Sequence, residues 1–396
     1  MIAAQLILTL LEVMSPAAPP GLDAWSELLA LHTEAIELKD GELKGPGADS
    51  LLRSARSARM VAIGEEHLIA EVPSIVAAFF DDLHATAGFR HLATENGPAA
   101  MRALGVEGRR ADRHATELWI RAHPMSLAFC SPEEVDLLLT VGDRCAGDPE
   151  PLWGFDVPTG AWHVLEEVRS AVPSEIEAEA KALLESCRER ERLRFAPGDP
   201  RQAMMKASWL ARPEATAELE KLHRLLPPTE GKALKPLLLS AELYACFARA
   251  RSGEPWALHE NGARREEWMK VCFLRAYRRS EAKTGQPPRV VLKGGAWHLG
   301  RGLNAVRVSS LGSFASALAL REGGRSFHIG MISPRAPGAG PFTAALESGE
   351  WVYIDLVPLR GRPAAAELDP MAARWIDEYD ALILIGNAQR GQAVLR

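Results

Sequence analysis

What this 396-residue sequence lacks narrows it first. Its five cysteines (Cys130, Cys145, Cys187, Cys246, Cys272) are odd in number, widely spread and without a Cys-x-x-Cys pair, which excludes a disulfide framework and a cysteine zinc site. They read as buried free thiols. No apolar stretch approaches the ~20 residues that a membrane-spanning helix requires, so no membrane span is expected. Lys and Arg form no compact patch and the formal net charge is −6, which leaves no field to attract a polyanion. Nucleic acid is therefore not expected as a partner. Repeats and low-complexity tracts are absent too.

Three catalytic signatures are also missing. There is no Gly-x-Ser-x-Gly elbow for a nucleophilic serine and no His-Glu-x-x-His helix for a zinc peptidase. Gly294, Gly295, Gly300 and Gly302 lie close together but lack the Gly-x-Gly-x-x-Gly order of a dinucleotide loop, and they read instead as close backbone approach around an active-site loop. None of the cysteines follows a strand-end glycine or a cationic helix start, so thiolate catalysis does not stand out. Water is left as the nucleophile.

With 47% hydrophobic and 25% charged residues, the chain has the composition of a globular protein, long enough for one large α/β domain or two smaller ones. Ala3 to Met14 is mostly apolar and is followed by Ser15-Pro16-Ala17-Ala18-Pro19-Pro20-Gly21, like the end of a signal peptide, yet no Lys or Arg precedes it and Glu12 interrupts it. Residues 1–22 therefore read as a signal peptide or a frayed N-terminal segment. A cytoplasmic location is expected, with export as the alternative. Residues 23–396 read as a single α/β domain, and the oligomeric state has no signature.

Four stretches run through apolar residues and stop on ionisable ones: Met60–His67 (MVAIGEEH), His91–Asn96 (HLATEN), Leu152–Asp156 (LWGFD) and Val290–His298 (VVLKGGAWH). Such runs predict buried, mostly parallel strands, and ligands bind beyond the carboxyl ends of those strands. Glu65, His67, Glu95, Asp156, Lys293 and His298 would then face one crevice. A helix is expected at about 23–37. Val72, Ile75, Val76, Phe79, Phe80 and Leu83 recur at helical spacing, so the first two strands and this helix form a βαβ unit. Ser131-Pro132-Glu133-Glu134 is a capping box that starts another helix.

From about 161 to 283 the sequence is rich in Ala, Leu, Glu and Arg, with breaks near Pro173, Pro197–Pro200, Pro213, Pro227–Pro228 and Gly253–Pro255. It reads as a helical insertion or lid. Sheet-like sequence returns at Phe327–Ile332, Trp351–Leu356 and Ala381–Ile385, and the Ala/Gly/Pro-rich piece at 334–345 reads as a flexible loop.

A carboxylate beside an imidazole fixes the ring tautomer and stabilises the imidazolium formed on proton uptake. Glu65 with His67 is such a pair, and Glu95, before the turn-forming Asn96-Gly97-Pro98, adds a second strand-end carboxylate. His67 and Glu71 are spaced to share one face of a helical turn.

In motif order, from about residue 60 to the end, the chain resembles the erythromycin esterase-like proteins, within the broader set that includes the ChaN-like iron-regulated lipoproteins and the TraB/Tiki proteins. Gly64-Glu65-Glu66-His67 looks like the family's Gly-Glu…His motif, with Glu71 four residues on. Ala93-Thr94-Glu95-Asn96 looks like its strand ending in an active-site Glu, and Leu152–Asp156 like its Trp-Gly-(apolar)-Asp segment. Arg264–Met269 (RREEWM) resembles its Arg-acid-x-x-Met helix, which puts the family's arginine at Arg265. Lys293–Asn304 (KGGAWHLGRGLN) resembles its His-bearing loop, with His298. The esterases usually have two residues between the first Glu and the His, where this chain has only Glu66.

The resemblance implies an α/β hydrolytic fold, unrelated to the serine α/β hydrolases, in which a His-activated water cleaves a small-molecule ester or lactone. On this reading His67 is the general base, held by Glu65 or Glu95, and His298, with Arg265 or Lys293 nearby, stabilises the oxyanion or protonates the leaving alcohol. Glu66, Glu71, Asn96 and Asp156 would support the site. No cofactor is expected. One alternative places a divalent metal at His67, Glu95 and His298, and another is a non-enzymatic ChaN-like haem- or iron-binding protein.

Overall fold

The residues Thr33 to Lys44 (TEAIELKDGELK) alternate in polarity about an Asp-Gly pair, and they form a hairpin: β1 (Thr33–Lys39) and β2 (Glu42–Lys44) pair antiparallel. The turn residues Asp40 and Gly41 both take positive φ, 54° and 78°, as a two-residue hairpin turn demands. This corrects the helix expected over about 23–37, which stops at Ala30. Residues 22–169, 172–195, 206–346 and 349–391 are described in this computed structural model. The segment read as a signal peptide or frayed end, 1–22, lies outside them except for its last residue.

Among the described residues the remaining strands are β3 (Met60–Glu65), β4 (His91–Thr94), β5 (Leu152–Gly154), β6 (Val290–Gly295), β7 (Ser326–Ile332), β8 (Trp351–Asp355) and β9 (Ala381–Ile385). The chain divides into two compact units, one containing the described residues up to Ala93 with Tyr277–Gly391, the other Thr94–Ala276. In the first unit the strand order is β2-β1-β8-β9-β7-β3-β6-β4. The centre is parallel, β3 pairing with both β6 and β7, and β7 with β9. The edge is antiparallel, through β1, β8 and β9. β3 and β6 are buried at every position, which is why they read as continuous apolar runs. β6 stands between β3 and β4, so the two outer strands of the βαβ unit are not direct neighbours.

The stretch at 334–345, read as flexible, is anchored instead. Ala336, Ala339 and Phe342 are buried, Phe342 meets Trp25 edge-on at 5.8 Å, and the Trp25 indole N–H donates to the Pro341 carbonyl (2.8 Å). Small residues here permit close packing. Gly64 has a similar role. A Cβ at that position would lie 2.1 Å from the Tyr379 hydroxyl oxygen, so the strand makes room for a phenol ring.

In the second unit β5 runs beside the residues that follow β4, the Phe155 N–H donating to Thr94 O (3.1 Å) and Asp156 N–H to Asn96 O (3.0 Å). Ser131 caps the helix Pro132–Arg144 by accepting from the Glu134 amide, as the capping box predicts. Further helices run over Trp162–Arg169, Glu177–Glu191, Ala215–Leu225, Pro228–Arg251 and Trp256–Thr284. The breaks expected near Pro173, Pro213, Pro227 and Gly253 fall between them, while Pro197–Pro200 lies outside the described residues. The first four of these helices share a core that includes Trp209, Leu219, Leu234 and Leu237.

Glu191 lies in this unit, buried, accepting from the amides of Ala161 (2.6 Å) and Trp162 (3.3 Å) at the start of the helix Trp162–Arg169. Burial pushes its carboxyl up from 4.5 to about 8, against the pull of those two amides.

Two predictions follow from these packed positions. Gly64→Ala is expected to destabilise the chain by about 1–3 kcal/mol through overpacking against Tyr379, read from the urea midpoint. Between 4.5 and about 8 the folded state binds a proton at Glu191 that the unfolded chain releases, so stability falls as pH rises through that window. Glu191→Gln should flatten that decline. An unchanged pH dependence of the urea midpoint would assign the decline to another group.

Candidate active site

The first unit gathers Glu65, Glu66, His67, Lys293 and His298 where β3 and β6 end side by side, Ile63 opposite Lys293 and Glu65 opposite Gly295. Parallel neighbours ending together bring their following loops together, so His67 and His298 leave the sheet from adjacent strands. His67 sits in a turn, with Leu68 at φ 69° and the next helix starting only at Glu71. Its Nδ1 lies 3.1 Å from Glu65 Oε1, and the other carboxylate oxygen lies 2.7 Å from the Lys293 ammonium.

Glu65 and Lys293 are each about 5% exposed in their side chains, whereas His67 is 20% exposed. Burial by itself would raise the Glu65 carboxyl, but the Lys293 charge and the His67 contact more than reverse this and hold it below the ordinary carboxylate range. An ionised Glu65 accepts only, so His67 carries a proton on Nδ1. That is the geometry of a base with its orienting carboxylate. His298 lies half-buried on the single helical turn Ala296–Leu299 that follows β6.

Two supporting residues have structural partners. The Glu66 carboxylate accepts from the Ser333 amide (2.9 Å) and hydroxyl (2.7 Å), fastening the loop to the end of β7. Glu71 accepts from the Gln389 amide (3.0 Å). The expected His67–Glu71 helical face does not form, because the positive φ at Leu68 breaks the turn before the helix begins.

In the second unit Glu95, Asn96, Asp156 and Arg265 form another cluster. Arg265, on the helix Trp256–Thr284, donates from Nε to Asp156 Oδ1 (2.9 Å) and from Nη2 to Glu95 Oε1 (2.8 Å), and it pairs with Asp156 Oδ2 as well. One guanidinium thus bridges the two strand-end carboxylates, all three nearly buried. Burial would lower its proton affinity, but Asp156 and Glu95 raise it above the ordinary value, so it stays charged. Asn96 shapes the turn, accepting from the Ala128 amide (3.0 Å) and donating to the Thr94 hydroxyl (3.1 Å).

Sequence reasoning missed Tyr244. Burial raises its hydroxyl, which also interacts with Ser208, Arg194, Arg265 and Asp156. It stands in a helix-rich stretch with no local motif, and only its rarity, one of four tyrosines, marks it. Among the described residues no group of three or more His, Cys, Asp or Glu side chains is disposed to hold a metal ion, and no helix is long and apolar enough to cross a membrane.

No protein-family profile matches this chain, and no curated protein matches it either. Solved structures do share its fold. A protein from Bacillus cereus superposes with a TM-score of 0.58 at 15% identity, covering 96% of this chain and all (100%) of its own. An erythromycin esterase, a histidine-to-asparagine mutant of EreC in its open conformation, gives 0.54 at 13% identity over 92% of this chain and 100% of its own. A succinoglycan biosynthesis protein gives 0.53 at 13% over 95% and 100%. The chain therefore has an erythromycin esterase-like mixed α/β fold.

Lys293→Met is expected to cost about 3–5 kcal/mol at neutral pH by leaving a buried charge uncompensated. Glu65 stabilises the wild type above its unfolded value of 4.5, and that contribution is lost as pH falls through its lower folded value. Urea titrations at pH 7 and pH 3 should thus separate the two proteins less at the lower pH. A gap that stays constant would remove Glu65 as its cause.

Proposed function

We propose that this chain is a hydrolase of carboxylic esters or lactones in which His67 activates water. The observation that carries the reading is the buried Glu65 carboxylate, shared between the His67 Nδ1 and the Lys293 ammonium at the end of two adjacent parallel strands. The hydrogen bond to Nδ1 turns Nε2 toward its work as general base, and the buried ionised carboxylate stabilises the imidazolium that forms as water attacks the carbonyl. His298, leaving from the neighbouring strand, is assigned to the oxyanion and then to the leaving alcohol, to which it delivers a proton.

Glu65 is favoured over Glu95 as the orienting carboxylate, since Glu65 lies 3.1 Å from His67 Nδ1 while Glu95 binds Arg265. Glu95, Asp156 and Arg265 form a polar cluster of their own in the second unit. The reading needs no metal. Both oxygens of Glu65 already meet a proton donor, an arrangement suited to orienting an imidazole and poorly suited to ligating a cation. The shared fold with an erythromycin esterase supports the reaction class. A macrolide substrate is no part of the proposal.

A panel of esters, lactones and peptides, run with and without chelator, tests the reading. Ester or lactone turnover that survives the chelator is expected. His67→Ala should lower kcat by about 10²–10⁴-fold while far-UV circular dichroism stays that of the wild type. Turnover unchanged by that substitution would reject His67 as the base.

A further inference from the structure

The turn that carries His298 is too short to hold itself. In a helix the last four carbonyls have no partner within it, and Ala296–Leu299 is only four residues long. Two buried side chains from distant segments hold its carbonyls from outside. Tyr379, 1% exposed, donates its hydroxyl to the Ala296 carbonyl at 2.5 Å, adding to the bond that carbonyl accepts from the Gly300 amide (3.1 Å). His328, fully buried in β7, lies with Nδ1 2.7 Å from the Leu299 carbonyl.

A carbonyl only accepts, so His328 Nδ1 bears the proton, and the single Nε2 lone pair is left to accept from one of the hydroxyls of Ser316 (2.9 Å) and Ser326 (3.0 Å), which lie 2.7 Å from each other. The ring stays neutral, since burial and the nearby Arg301 push its proton affinity down to about 3. Both clamps share one anchor. Asp380, next to Tyr379, accepts from the His328 amide (2.9 Å) and pairs with Arg301 (2.7 Å), one residue beyond the Gly300 that ends the turn.

Two glycines make the space. A Cβ at Gly64 would lie 2.1 Å from the Tyr379 hydroxyl, and one at Gly300 would lie 3.1 Å from its ring. The strand beneath His67 and the loop beyond His298 therefore close on the same phenol. The carbonyls it and His328 hold belong to the residue two before His298 and the residue just after it.

We propose that Tyr379 and His328 are positioning residues for His298, fixing its imidazole in the geometry the reaction requires by pinning the carbonyls of Ala296 and Leu299. The proposal rests on the hydrolase reading for what His298 does, and on the hydrogen bonds alone for how His298 is held. Tyr379→Phe removes one hydroxyl and keeps the ring between the glycines.

The full-length chain is assayed with p-nitrophenyl acetate across pH, and His298 is followed separately by its rate of carbethoxylation with diethyl pyrocarbonate, read by peptide mass spectrometry with the other histidines as controls. Tyr379→Phe is expected to lower kcat about 10- to 100-fold, to leave KM within about twofold, and to speed carbethoxylation of His298 alone. His328→Leu should act in the same direction. His328→Asn, whose amide keeps a donor near the position of Nδ1–H, should recover most of that loss. Unchanged kcat, pH profile and His298 reactivity in Tyr379→Phe would overturn the proposal. If the wild type hydrolyses no ester, the hydrolase reading fails, and the carbethoxylation rates still decide whether these residues hold His298.

Discussion

A lysine ammonium and a carboxylate, both almost sealed from water, join the ends of β3 and β6, and the site is organised around that pair. Glu65 could not sit ionised in a buried strand without a cation, because removing a carboxylate from water costs several kcal/mol. Lys293 meets it at 2.7 Å from the adjacent strand, and the register that aligns Ile63 with Lys293 makes the meeting possible. Once ionised, Glu65 can accept from His67 Nδ1 and settle which nitrogen of that ring faces outward. The parallel pairing, the ion pair and the orientation of the imidazole are thus successive consequences of one arrangement.

Glu191 is the control that the protein itself provides. It is as buried as Glu65 and accepts from two backbone amides, yet its carboxyl is pushed up to about 8, because none of the groups acting on it is a cation. Amide donors alone do not offset desolvation here, whereas an ammonium does. The second unit applies the Glu65 solution at Glu95 and Asp156, with a single guanidinium serving both. Arginine suits that position because its planar fork can reach two carboxylates at once, which a lysine ammonium does with less geometric control.

The strands that carry the candidate site were legible because burial on both faces writes them as apolar runs, and the ionisable residues that end them break that pattern abruptly. The second unit's capping box was legible because Ser131 and Glu134 are near in sequence. The hairpin at Thr33–Lys44 carried a readable signal, the Asp40-Gly41 turn between alternating residues, but a charged, half-exposed strand next to the sheet edge also satisfies a weak helical pattern. Composition misled at 334–345, where small residues mark close packing around Phe342 as readily as mobility. Tyr379, His328 and Tyr244 were beyond reach, since each acts on a segment tens of residues away or more and nothing local announces the contact. The same asymmetry explains a fold shared at 13–15% identity with no sequence match. Buried runs and packing volume can be satisfied by many sequences, while a shape comparison sees only their result.

Burial also divides the labour among the histidines. His328 and His163 are buried, and desolvation pushes both down to about 3, so neither takes up a proton in the range where a hydrolase works. His328 is thereby a fixed donor and acceptor, useful for holding a backbone and useless for moving protons. His67 and His298 differ in being partly open to solvent at the ends of adjacent strands. A ring that must exchange protons with water has to be reachable by it, and a ring that must hold a neighbouring turn in place does better sealed away. The fold brings both kinds to one turn, His298 on it and His328 held against the carbonyl of Leu299 that closes it. The chemistry proposed for this chain depends on their remaining different.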